Sequence, residues 1–101
     1  MKYELSDAGG QRVLVLRDQL TDADRAVMET VIPQLLAGGV KTVCVDLERL
    51  DYMDSAGLGM LLTMRDRAGK AGVQIRLSKP RGDVKDLLAL ACFDTLFTID
   101  P

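Results

Sequence analysis

Histidine is absent from the 101 residues of this chain. That one absence removes the Ser-His-Asp and Cys-His relays, the imidazole general base and the usual histidine-containing zinc sites. Catalysis by this chain is therefore not expected. No stretch approaches the roughly 18 to 20 consecutive apolar residues that a membrane helix needs, and Met1-Lys2-Tyr3-Glu4 lacks the apolar centre of a signal peptide, so no membrane insertion and a cytoplasmic location are expected. Cationic excess is missing too: 13 basic residues face 15 acidic ones, which argues against a grip on nucleic acid. The two cysteines, Cys44 and Cys92, form no close metal pair and no disulfide framework, and both read as reduced core thiols.

What is present is enough apolar residue, 48% of the chain, for one core and too short a chain for two, so residues 1–101 read as a single domain. Lys2 to Leu5 and Gln11 to Leu16 read as strands joined through Ala8-Gly9-Gly10, the second being apolar on both faces at Val13-Leu14-Val15-Leu16. Thr21-Asp22-Ala23-Asp24 is a capping-box-like start for a helix reaching about Ala37. Its core stripe is Val27, Val31 and Leu35 with Ile32 and Leu36 beside it, and Pro33 predicts a kink or an early end. Thr42 to Leu47 suits a central strand covered by helices. A helix from Ser55 to about Gly69, a strand Val73 to Leu77, a helix Asp83 to Ala91 and a short strand Phe97 to Ile99 complete the pattern. The order β-β-α-β-α-β-α-β predicts an α/β layer fold: a central mixed sheet with a largely parallel core, covered by three or four helices.

The chemistry concentrates at Asp54-Ser55-Ala56-Gly57-Leu58-Gly59-Met60, where a strand-like segment gives way to a helix-like one. Asp54 is placed to cap the helix, to orient the serine or to meet a partner, and these roles are compatible. Ser55 then falls in the first turn, near the positive end of the helix dipole. On residue chemistry alone Ser55 is either a capping serine or a phosphate acceptor. Because the glycines follow the serine and no Gly-Lys-Ser occurs, the turn is not a P-loop, and it is not the Gly-x-Ser-x-Gly of a serine hydrolase. In the following helix Leu58, Leu61, Leu62 and the stem of Arg65 read as the inward stripe, which leaves Met60 as a surface residue. Met53 and Met64 read either as core filling or, with Met60, as an adaptable docking patch beside the turn, and Asp46, Asp51 and Asp54 as strand-end and cap carboxylates rather than a magnesium site.

This turn, with Val43-Cys44-Val45-Asp46-Leu47, Leu50-Asp51-Tyr52-Met53, Leu87-Leu88-Ala89-Leu90 and Phe93-Asp94-Thr95-Leu96-Phe97, resembles the STAS domain family, in particular the bacterial anti-sigma-factor antagonists. The resemblance spans nearly the whole chain. It implies that Ser55 is phosphorylated by a partner kinase, and that Asp54, Ser55, Gly57, Leu58 and Met60, extended by Leu20 and Thr21, meet the partner. The implied partner is an anti-sigma factor, itself a GHKL-type serine kinase; a PP2C-type phosphatase would reverse the modification, and no cofactor is bound by this chain. Where many relatives carry Gly-x-Leu-Asp, this chain carries Asp18-Gln19-Leu20-Thr21 and lacks that aspartate. The alternative is a constitutive STAS scaffold subunit of a stress-sensing or lipid-transport assembly.

Overall fold

Two adjacent glycines set the first hairpin. The computed structural model describes residues 1–101, and in it β1 (Lys2–Ala8) runs antiparallel to β2 (Gln11–Leu20), with Ala8 opposite Gln11. Gly9 and Gly10 both have positive φ, 58° and 83°, the geometry a two-residue turn between right-twisted strands demands. Both strands are longer than the apolar pattern predicts, because β1 is exposed along most of its length and carries little hydrophobic signal.

A single 3-10 turn, Asp22–Asp24, leads into α1 (Arg25–Leu36). The buried residues of α1 are Met28, Val31, Ile32 and Leu35, which keep the i, i+3, i+4, i+7 spacing of one helix face. Val27, expected in that stripe, is 39% exposed, so the face is rotated by about one residue from the sequence expectation. Pro33 does not end the helix, which continues to Leu36. The ring lies on the exposed side, where the helix carbonyl left without a donor can meet water. Beyond it Arg12, on β2, donates to the carbonyls of Gln34 (2.9 Å), Leu35 (3.2 Å) and Ala37 (2.7 Å), serving acceptors at the helix end of which Gln34's is shared with the Ala37 amide.

The chain then forms β3 (Thr42–Asp46), β4 (Leu50–Met53), α2 (Ser55–Lys70), β5 (Gln74–Ser78), α3 (Gly82–Leu90) and β6 (Thr98–Asp100). The six-stranded sheet runs β1-β2-β3-β5-β6, with β4 pairing the far half of β2. Every pairing but β1 with β2 is parallel. The expected mixed sheet with a largely parallel core is thus the observed one. The strand-like segment ahead of the turn is β4, a four-residue strand whose two middle residues are exposed, so it shows no alternation.

The strand order also corrects the expected covering of β3. From β2 to β3 to β5 to β6 each crossover steps the same way across the sheet, and right-handed crossovers that never reverse place their helices on one face. That face is the core row Leu14, Val45 and Leu77, all fully buried and in register. The alternate row, Val13, Cys44 and Arg76, is only half-buried. Cys44 therefore lies on the open side, its thiol 3.2 Å from Ser78 Oγ, and Cys92 is exposed; neither is the core thiol expected. No helix is long and apolar enough to cross a membrane.

Candidate functional site

Asp54 takes an extended backbone between β4 and α2 and caps the helix, as the sequence predicts: its Oδ1 accepts the amide of Gly57 at 2.9 Å. Ser55 is the first helical residue and is exposed. The turn is also tied to the end of β2. The Asp54 amide donates to the Leu20 carbonyl at 3.3 Å, and Asp54 Oδ2 accepts the amide of Asp22 at 3.3 Å. One carboxylate thus receives donors from its own helix and from Asp22, 32 positions before it in sequence.

The Thr21 side of the site is built on Asp24, whose carboxylate accepts the Thr21 amide at 2.8 Å, the reciprocal half of a capping box. Asp24 is buried and also accepts the α-amino group of Met1 at 2.7 Å. Burial pushes its carboxyl up, but the hydrogen bonds from the Met1 ammonium and the Thr21 amide, with the ammonium's charge, outweigh that and hold it below the ordinary value.

The expected site residues divide by exposure. Ser55 is exposed, and Asp54, Thr21 and Leu58 are half-buried. Leu20 and Gly57 are buried, and they meet each other: a Cβ on Gly57 would collide with the Leu20 carbonyl and with Met53 Cγ. Gly57 is therefore needed for packing of α2 against the end of β2. Met60, expected on the surface, is only 4% exposed; it lines a groove of about 250 Å³ between α1 and α2 together with Met28 and Ile32. Conversely Leu62, expected inward, is 39% exposed. Ser55, Leu58 and Leu62 stand at i, i+3 and i+7, so they share one face of α2. Tyr52, half exposed on β4 just ahead of the turn, is a further candidate contact, and its one signal in the sequence is an aromatic two residues before the cap.

The other acids near this end of the sheet have separate partners. Asp46 accepts the Glu48 amide at 2.9 Å, and Asp51 pairs with Arg81 at 2.7 Å. Both oxygens of Asp54 are taken by amides, so the carboxylate beside Ser55 holds structure rather than standing ready as a base.

Comparison with known proteins agrees with this architecture. A family model described as "Mlab, STAS domain" matches residues 4–98. An anti-sigma factor antagonist from Mycobacterium paratuberculosis superposes with a TM-score of 0.86 at 20% identity, covering 99% of this chain and 85% of its own. The anti-sigma factor antagonist SpoIIAA of Bacillus superposes at 0.81 in its unphosphorylated form, with 20% identity over 99% of this chain and 88% of its own. In its phosphorylated form the score is 0.67, with 23% identity over 99% and 91%. A STAS-domain containing protein of Pseudomonas aeruginosa is 46% identical over 55 residues, so the match spans about half the length, 54%, of each chain.

Proposed function

The chain belongs to the STAS domain family, and on that premise we propose that it is an anti-sigma-factor antagonist, a cytoplasmic binding protein switched by phosphorylation of Ser55. The unmodified form captures an anti-sigma factor with GHKL-type serine-kinase activity and so frees a sigma factor. That kinase phosphorylates Ser55 and ends the capture, and a PP2C-type phosphatase restores it. This chain is the substrate of both enzymes and catalyses neither step.

The observation that carries the reading is the placement of Ser55: an exposed hydroxyl on the first residue of a capped helix, on one face with the half-buried Leu58 and the exposed Leu62. Phosphate there adds about −1.5 to −2 charges at an exposed helix start, where the fold tolerates it. Against a docked partner the same charge must be desolvated at a cost of several kcal/mol, and every 1.4 kcal/mol is a tenfold loss of affinity. The docking surface in this reading is Ser55, Leu58 and Leu62 with Thr21 beside them, while Leu20, Gly57 and Met60 support it from beneath.

A second reading, a constitutive scaffold subunit, draws on the matching family model, whose description names Mlab rather than an antagonist. Intact-mass spectrometry of the protein isolated from its native cells, with peptide mapping across growth conditions, separates the two. A condition-dependent phosphate on Ser55 is the expected result. A Ser55 left unmodified in every condition, at full peptide coverage, overturns the switch and puts the scaffold first.

A further inference from the structure

We infer that Asp54 is a positioning residue that joins the Thr21–Asp22 turn to the Ser55 helix start, and that phosphate on Ser55 releases the Asp22 side of that join. The inference rests on Ser55 being the modified residue. Its geometry is the pair of bonds made by one carboxylate: Oδ1 to the Gly57 amide at 2.9 Å, partly buried, and Oδ2 to the Asp22 amide at 3.3 Å, exposed. A cap needs only the first of these. The second fixes the turn between β2 and α1 against the helix that carries Ser55.

A phosphate on Ser55 places a dianion beside the Asp54 carboxylate and offers new oxygens to the first-turn amides of α2. The Asp22 carboxylate adds no net charge to this corner, because the Arg25 guanidinium pairs with it at 2.6 Å, so the repulsion is that between the phosphate and Asp54. Of the two Asp54 bonds, the exposed and longer one to Asp22 yields to this repulsion, while the shorter, partly buried cap at Gly57 persists. The Asp22–Asp24 stretch is then held only at its two ends, by Asp24, where Thr21 is anchored, and by the Leu20 carbonyl, which keeps the Asp54 amide. A partner that reads Thr21 and Ser55 together therefore loses a preassembled surface as well as meeting a new charge.

The test is amide hydrogen exchange by NMR on the full chain, unmodified and with phosphoserine installed at position 55 during synthesis. The expected result is exchange of the Asp22 amide at least tenfold faster in the phosphoserine protein, with Gly57 and the β3 amides unchanged. Asp54→Asn supplies the second arm: its side-chain oxygen still caps Gly57, but its NH2 cannot accept from Asp22, so the Asp22 amide alone should be released without added charge. A residue acting only as a cap leaves Asp22 unmoved in both proteins, and that result overturns the inference. Absence of phosphate from the native protein would instead sink the switch, a failure read by mass rather than by exchange.

Discussion

The carbonyl oxygen of Leu20 lies 2.6 Å from where a Cβ on Gly57 would stand. That oxygen cannot step aside, because it accepts the Asp54 amide. Gly57→Ala gains about 1 kcal/mol of helix propensity but overpacks this contact by about 1–3 kcal/mol. With backbone in the way the upper end applies, and a net loss of about 2 kcal/mol is expected in urea denaturation. Gly59→Ala is the control: nothing lies within 4 Å of its Cβ position, so a gain of about 0.5–1 kcal/mol is expected. Equal effects at the two positions would show that the close approach to Leu20 is not what requires glycine.

That contact also explains which parts of the site were legible. The Asp54 cap and the Gly9-Gly10 hairpin depend on residue types with few alternative uses, and both stand where the sequence places them. The phase of α2 was not legible, because Leu58, Met60, Leu61 and Leu62 leave no polar gap from which to set an apolar stripe. Gly57 sets it instead: its fit against Leu20 and Met53 turns Met60, Leu61, Met64 and Ala68 inward and Leu62 outward. The openness of one sheet face was hidden for a related reason. Val13, Val15 and Cys44 are apolar on the half-buried side, and only the strand order reveals that no helix returns to cover them.

Arg12 closes α1 from a neighbouring strand. Its Nη1 meets three carbonyls at the end of that helix, and its Nε donates to Asp7 at 2.8 Å. Hydrogen bonds from a charged donor contribute about 1.5–3 kcal/mol. Arg12→Met, which keeps the aliphatic stem, is expected to lower stability by about that much and to speed amide exchange in the Gly38–Gly39 turn. A loss below about 0.5 kcal/mol would mean that water serves those carbonyls equally well.

Asp24 should govern part of the acid limb of stability. Its folded-state carboxyl is held below its ordinary value of 3.8, since hydrogen bonds from the Met1 ammonium and the Thr21 amide overcome the opposing effect of burial. A depressed carboxyl contributes stability above its unfolded value and loses it as pH falls through the folded one. Asp24→Asn is therefore expected to cost about 1–2 kcal/mol at pH 7 through the weakened cap, with the difference shrinking below about pH 4. Denaturation midpoints measured from pH 7 to pH 3 check this. A gap of constant size across that range would assign the loss to packing rather than to the charge.

Met60 and Leu62 stand two residues apart on α2 and should separate stability from binding. Met60 is 4% exposed and packs in the groove between α1 and α2, so Met60→Ala leaves a cavity and is expected to cost about 2–4 kcal/mol. Leu62 is 39% exposed on the face it shares with Ser55 and Leu58, and Leu62→Glu should change stability by no more than about 0.5 kcal/mol. If that face docks the partner kinase, the glutamate places an unpaired charge in the interface, about two turns from Ser55. Affinity should then fall at least tenfold, which corresponds to about 1.4 kcal/mol. Paired urea titrations and binding isotherms on the two variants read both quantities. A Leu62→Glu protein that binds as well as the unaltered chain would move the docking surface off this face of α2 and onto the Thr21 side.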